Sequence, residues 1–212
     1  MERRVTVVAA ALSIEQSAHM VGAWAWAEGR LYEVIGSWVP STVWPAAKVW
    51  FASASQHHAW RAQLWQQRLS GRLVPAYPGT DAGPPGTTAA PANEHVRPGS
   101  AGAEAALGAL GRLNGDGARL GAYCRVILPR TVVAYRSWQR RCTASSDRPV
   151  ARVLALNLVD VVADWQEGSE VLADLLGQPE GADQLNDVAG ASVEVERLLV
   201  GHGLGPDSSW AA

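Results

Sequence analysis

The sequence predicts an all-α fold of two antiparallel helical hairpins, and two observations support this. Apolar residues recur at the helical period of about 3.6 in four long stretches, residues 14–38, 43–73, 117–143 and 150–176. Between the second and third stretches, residues 74–102 place repeated prolines among glycine, alanine and threonine, a composition that cannot pack into a core. One long crossover should therefore join the two hairpins.

Proline and capping residues set the predicted hairpin turns. Pro40 disfavours the helical region for Val39 and should end the first helix, after which Ser41 or Thr42 can cap the second. Residues 143–149 supply cap candidates and a proline close to the start of the fourth helix.

Two further features complete the predicted architecture. Pro129 lies well inside the third helix, so we expect a kink there or a junction between two helical pieces. A shorter periodic stretch, residues 183–200, predicts an extra helix packed on the outside, and residues 201–212 are typical of a tail. The whole chain of 212 residues is predicted to be one domain.

Composition excludes several classes of partner. The net charge of -2 provides no overall basic field for nucleic acid or an anionic membrane. No run of 18 or more uncharged apolar residues is present, so no membrane span is predicted. The only two cysteines, Cys124 and Cys142, suit a reducing compartment and are expected to be buried free thiols.

The N-terminus resembles a secretory signal only in part. A basic start, Met1 to Arg4, precedes the apolar residues 5–12, but the first helix follows without a spacer around a small-residue cleavage site. We therefore expect a retained N-terminus and a cytoplasmic protein.

A weak internal repeat relates the two predicted hairpins. The stretch from Pro45 to Val49 resembles the stretch from Pro149 to Val153, and Ser37-Trp38 resembles Ser137-Trp138. With this repeat, and with the segments at residues 26–33 and 57–65, the chain resembles the ferritin-like superfamily over residues 14–176. The resemblance implies a four-helix bundle with one long crossover; it does not settle function.

The resemblance also implies a di-metal site, which can be tested residue by residue. Family members place a Glu on each of two helices and Glu-x-x-His on each of the other two. Glu28 and His58 fall on inward faces, whereas His57 aligns with Arg61 and Arg68 on the outer side. Ser55 replaces the carboxylate three residues before His58.

The second hairpin departs further from the family pattern. The inward face of the third helix carries no acid and the fourth helix carries no histidine, so we predict no di-metal site and no cofactor. A single metal ion held by Glu28, His58 and Asp164 is an alternative.

Polar residues on otherwise apolar faces are the candidate catalytic groups. An unpaired Glu28 among apolar side chains should have a raised pKa and act as general base, with His58 as acid or relay. Tyr32 and Tyr135 would position the substrate. The structural alternative is that Glu28 and His58 only satisfy one another in the core.

Indoles dominate the predicted interior. They either pack as ordinary core or leave a slot for a planar ligand. The residues expected to bind substrate in that slot are Trp24, Phe51, Trp65, Thr131, Trp138 and Trp165.

Three functions are consistent with these observations. The first is a metal-independent enzyme of specialised metabolism that performs proton abstraction, condensation or cyclisation on an apolar or aromatic small molecule. The second is an oxidase or oxygenase that retains iron or manganese, and the third is a non-catalytic binding or scaffold protein. Outer hydrophobic residues such as Trp26 and Trp60 would suit a homodimer in each case.

Overall fold

Every regular element in the described part of the chain is helical, which confirms the all-α class. The computed structural model describes residues 12–69, 95–142, 147–179, 181–200 and 204. Its helices are α1 (Ile14–Trp38), α2 (Pro45–Leu69), α3 (Ala101–Gly111), α4 (Asp116–Ala122), α5 (Leu128–Gln139), α6 (Arg148–Leu176) and α7 (Gly181–Leu199). None of these helices is both long enough and apolar enough to cross a membrane.

The first hairpin forms where the sequence predicts it, but the predicted capping of α2 by Ser41 or Thr42 is wrong. Both hydroxyls donate to the C=O of Trp38, and Asp116 Oδ2 instead accepts from the N–H groups just before α2. Ser13 and Gln16 make a capping box at the start of α1, each side chain accepting from the other's backbone N–H. A short 3-10 turn, Val39–Ser41, contains Pro40 and leads into α2. The helices α1 and α2 pack along their lengths, and α2 also contacts α6.

The predicted third helix is divided, which confirms the expected junction at Pro129. A π-helical segment, Tyr123–Ile127, separates α4 from α5, and the N–H of Leu128 donates to the C=O of Tyr123. Pro129 has no N–H for an α-helical hydrogen bond and stands in the first turn of α5. The backbone stays helical through the π segment, since Ala122, Ile127 and Leu128 all keep right-handed helical dihedral angles.

Helix α3 was not predicted from the sequence. Ser100 caps it by accepting from the N–H of Ala103, and most of its alanines and both of its leucines are buried. Small apolar residues surround most of this helix, so no single apolar stripe marks it in the sequence.

Several predicted features lie outside the described residues. They are the signal-like start at residues 1–11, the last part of the predicted second helix at 70–73, most of the crossover at 74–94, the cap candidates at 143–146, and the tail at 201–203 and 205–212.

The predicted extra helix is present as α7 and packs on α4 and α3. Glycines let it approach α4: a Cβ at Gly121 would lie 2.8 Å from Val188 Cα. Arg130 of α5 forms an ion pair with Glu196 of α7, with Nε 2.8 Å from Oε2. Helix α7 is therefore part of the same packed unit as α4 and α5.

Candidate functional site

A cluster of six polar side chains lies in the core where the helices meet. None of the six is more than 2% exposed. They come from α1, α2, the π segment, α5 and α6, and they are Glu28, His58, Arg61, Tyr123, Tyr135 and Asp164. The predicted inward positions of Glu28, His58 and Tyr135 are confirmed.

His58 is the central residue of the cluster. Its Nδ1 lies 2.5 Å from Glu28 Oε2, and its Nε2 lies 2.5 Å from the Tyr123 hydroxyl. A carboxylate accepts hydrogen bonds only, so Nδ1 must carry the proton that it donates to Glu28. In the neutral imidazole Nε2 is then the acceptor, and the Tyr123 hydroxyl donates to it.

The second carboxylate oxygen of Glu28 has its own donor. The Tyr135 hydroxyl donates to Glu28 Oε1 at 2.5 Å, and Trp65 Nε1–H donates to the Tyr135 hydroxyl at 3.0 Å. Two phenols, one imidazole and one indole thus form a continuous hydrogen-bonded chain through a single carboxylate.

Arg61 provides the positive charge of the cluster. Its Nε donates to Glu28 Oε2 at 3.1 Å and its Nη1 donates to Asp164 Oδ2 at 2.8 Å, so the guanidinium bridges two carboxylates from different helices. The predicted outward position of Arg61 is wrong. At 100° per residue it stands about 40° from His57 and about 60° from His58, so periodicity did not decide its side, and burial follows from the two carboxylates that pair with it.

The cluster reaches the protein surface at His57. Its Nδ1 lies 2.7 Å from Asp164 Oδ1, and its side chain is 33% exposed. The imidazole packs against the indole of Trp60 at a centroid distance of 5.5 Å. Asp164, which periodicity placed at a boundary, is buried between His57 and Arg61.

The electrostatics of Glu28 differ from the sequence prediction. Burial would raise the pKa of this carboxyl group, but the charge of Arg61 and the contacts with His58 and Tyr135 outweigh it and lower the pKa to about 2. The predicted unpaired carboxyl group with a raised pKa is therefore wrong. Glu28 is an anion at neutral pH and a weak base.

The other titratable side chains of this hydrogen-bonded series, His58, Tyr123 and Tyr135, are uncharged at neutral pH. Burial and the nearby charge of Arg61 lower the pKa of His58, although Glu28 acts in the opposite direction. Burial, with the neighbouring carboxylates, raises the pKa of Tyr123 and Tyr135 well above its usual value. At neutral pH the hydrogen-bonded series therefore contains two neutral phenols, a neutral imidazole and a carboxylate.

Tyr32 is not part of the cluster, so its predicted inward position is wrong. The residue is 48% exposed, and its C=O accepts a hydrogen bond from the Ser55 hydroxyl at 3.0 Å. Four residues beyond Glu28, it is rotated by about 40°, which places it at the flank of α1. It lines an open groove with Glu33, Gly36, Ser37, Val39, Pro40 and Ser55.

Four of the predicted substrate-binding residues pack against aromatic rings of the core. Trp65 and Trp138 are stacked at 5.0 Å, which is too close for a third ring to enter between them because two stacking distances need roughly 7 Å. The ring of Trp24 packs edge-on against Tyr135 at a centroid distance of 4.5 Å, and Phe51 packs in the same way against Trp38 at 5.1 Å.

The remaining two predicted substrate-binding residues are less closely tied to the cluster. The Thr131 hydroxyl donates to the C=O of Ile127, four residues earlier at the end of the π segment. Trp165 is only partly buried.

Tyr123 was not among the predicted site residues, and the π segment explains why. In an uninterrupted α-helix Tyr123 and Tyr135 would stand about 120° apart, because they are separated by twelve residues. The extra residue of a π turn reduces the difference to roughly 20° and brings both hydroxyls to one side. No pattern in the sequence other than Pro129 signals this change.

The cysteines are free, as expected. Cys124 is buried, and burial raises the pKa of its thiol, while Cys142 is partly buried with a pKa raised to about 11. Both thiols are therefore protonated at neutral pH and are poor nucleophiles.

The donor set does not fit the metal centre that the family resemblance implies. Arg61 already pairs with both carboxylates, and across the described ranges no group of three or more His, Cys, Asp or Glu residues is arranged to hold a metal ion. Comparison of the chain with protein-family models, curated proteins and solved structures finds no match.

Proposed function

We propose that the protein is a metal-independent acid–base enzyme that acts on a small apolar or aromatic molecule, with His58 rather than Glu28 as the base. The observation that supports this most is the chain from Tyr123 through His58 to Glu28, with both hydrogen bonds at 2.5 Å. A neutral imidazole oriented by a carboxylate is the usual arrangement of a general base.

Each residue of the chain has a defined role in this proposal. Tyr123 would accept a proton from the substrate as its own phenolic proton moves to His58 Nε2. Glu28, which is an anion at neutral pH, would fix the tautomer of His58 and stabilise the imidazolium that forms. Proton abstraction needs only such a transfer, and condensation and cyclisation can begin with it.

Two unpartnered donors favour a ligand next to Tyr123. The indole N–H groups of Trp38 and Trp50 are buried and have no hydrogen-bond partner in the described part of the chain. Both indoles lie next to the Tyr123 ring, with centroid distances of 6.4 Å for Trp38 and 5.3 Å for Trp50. A buried donor without a partner is costly, so a carbonyl oxygen of a ligand or a water molecule would fit there.

The proposal requires that this region open, because Tyr123 is fully buried. Substrate would have to enter by movement of side chains or helices around Tyr123, and the enzyme would then hold it away from water.

A solvent-exchange assay tests the proposal even when the full reaction is not identified. Small molecules that raise the melting temperature are incubated with the protein in D2O, and mass spectrometry measures deuterium incorporated at carbon. We expect incorporation with the native protein and a loss of at least about 100-fold in rate for Tyr123→Phe and His58→Gln. Tyr32→Phe, which changes an exposed phenol outside the cluster, is the matched control and should retain the native rate.

The result can contradict the proposal in two ways. An unchanged rate of deuterium exchange in folded His58→Gln would show that His58 is not the general base. Stabilising ligands that bind native protein and Trp50→Phe equally would argue against a site beside Tyr123.

A non-catalytic binding or scaffold protein is the second candidate. The burial and complete ion pairing of the cluster favour it. The six residues are buried, and each ionised group has a partner, so helix packing alone would be enough to account for the cluster. In that case His58→Gln and Tyr123→Phe would lower stability, and no ligand would exchange deuterium in any variant.

The cellular setting and the assembly of the protein stay predictions. A cytoplasmic location is one, and a homodimer is the other, supported by Trp60, which is 52% exposed on α2. Sedimentation of native protein and Trp60→Ser would test the dimer: loss of dimer in the variant is expected, and a native monomer would contradict it.

A further inference from the structure

We infer that Arg61 is a built-in cation that occupies the place of a divalent metal ion among Glu28, His58 and Asp164. This inference goes beyond the proposed function and does not depend on whether the protein turns over a substrate.

The three nitrogens of the guanidinium each approach a different potential metal ligand. Nε lies 3.1 Å from Glu28 Oε2, Nη1 lies 2.8 Å from Asp164 Oδ2, and Nη2 lies 3.0 Å from His58 Nδ1. The planar guanidinium thus has around it two carboxylates and one imidazole that come from α1, α2 and α6. Carboxylate oxygens and imidazole nitrogens are the donors that bind zinc, manganese, iron and cobalt in proteins.

The positive charge is needed because the cluster is buried. Two carboxylates without water require a cation, and the idealised cost of leaving such charges unpaired is large. Arg61 is fully buried and supplies this charge without a metal. It also separates Glu28 from Asp164, so the native donors cannot close around one small ion at the usual distance of about 2.1 Å.

His58 can change its role if the guanidinium is removed. Its Nδ1 faces both Glu28 and Arg61, and its Nε2 faces the Tyr123 hydroxyl. A phenol can donate or accept, so Tyr123 can also support the tautomer in which Nε2 carries the proton. In that tautomer the lone pair of Nδ1 faces Glu28 Oε2 and the adjoining space of Arg61, where it can bind a metal ion together with the carboxylate.

The test is cobalt binding by Arg61→Ala, followed by the visible absorption of Co²⁺ and by elemental analysis after desalting. We expect native protein to retain no cobalt and Arg61→Ala to bind one equivalent. Arg119→Ala is the matched control because Arg119 is also buried but contacts the Leu113 C=O and the Trp38 ring instead. This variant should bind no cobalt.

Double variants identify the ligands. Adding Glu28→Gln or Asp164→Asn to Arg61→Ala removes a carboxylate donor and should weaken cobalt binding at least about tenfold. Cobalt bound equally by native protein and Arg61→Ala, or bound by Arg61→Ala in a way that both second substitutions leave unchanged, would overturn the inference.

Refolding keeps the test decisive if Arg61→Ala does not fold alone. The variant is diluted from urea with and without Co²⁺, and helix content is measured by circular dichroism. Folding that depends on cobalt supports the inference, because metal binding contributes directly to folding. A variant that stays unfolded at millimolar Co²⁺ while Arg61→Lys folds would show that only an organic cation fits, and would overturn it.

Discussion

Charge pairing decides what Glu28 can do. The side chain is fully buried, and Arg61, His58 and Tyr135 together contact both of its oxygens. A carboxyl group in this position stabilises the fold as an anion and is poorly suited to accept a proton. Its proposed role is therefore to orient His58 rather than to act as the base.

Removing the charge of Glu28 should strongly destabilise the protein. Glu28→Gln leaves Arg61 with only Asp164 as an ionic partner, and breaking a buried pair costs about 3–5 kcal/mol. Urea unfolding measures this change. Glu33→Gln, on the same helix, breaks an exposed pair with Arg30 and should cost less than about 1 kcal/mol. Equal effects of the two substitutions would contradict the assignment of buried charge.

Stability should fall on acidification because two buried groups have lowered pKa values. The folded-state pKa of Glu28 is about 2 against an ordinary value of 4.5, so its contribution is present above pH 4.5 and is lost as pH falls towards 2. The lowered pKa of His58 makes its contribution complete above pH 6.5 and smaller below it.

Urea midpoints measured from about pH 7 to about pH 3 test this expectation. His58→Gln should lack the part of the loss that begins below pH 6.5. A native midpoint that stays constant over this whole range would contradict the charge states assigned to both groups.

At the level of elements, close glycine contacts fix where α7 packs. A Cβ at Gly121 would meet the backbone of Val188, which cannot move aside as a flexible side chain can. Gly190, within α7, has no atom within 4 Å of the same position.

These two glycines should respond in opposite directions to alanine. Gly121→Ala should destabilise the protein by about 1–3 kcal/mol through overpacking. Gly190→Ala should stabilise it by up to about 1 kcal/mol, because alanine is the better helix former. Thermal unfolding of both variants measures the difference, and stabilisation by both would show that α4 and α7 are farther apart.

The π segment is the element on which the cluster depends most. It starts at Tyr123, and the rotation that it introduces brings this hydroxyl to His58. A helix without the extra residue would turn the phenol away, and His58 Nε2 would lose its partner.

For the whole molecule, the cluster links helices that are far apart in sequence. Glu28, His58, Tyr123, Tyr135 and Asp164 lie on separate helical segments, and a shared apolar core surrounds them. We therefore expect one cooperative unfolding transition, with coincident urea curves from tryptophan fluorescence and far-ultraviolet circular dichroism. A separate early loss of helix would indicate that one helix, such as α7, unfolds independently.

Local signals in the chain were enough to predict the helical class, the limits of α1 and the inward positions of Glu28 and His58. They also located the junction at Pro129, because missing backbone donors, caps and apolar periodicity are local properties. Such signals extend over a few turns of one helix and do not need a partner.

The chemistry of the cluster, by contrast, was set by packing between helices. Which side chains face one another across helices decides three features of the cluster. They are the burial of Arg61, the lowered pKa of Glu28 and the presence of Tyr123 beside His58. A residue at the edge of a helix can turn either way, and a carboxyl group can be a base or a fixed anion. In both cases the charges brought within about 3 Å by packing select the outcome.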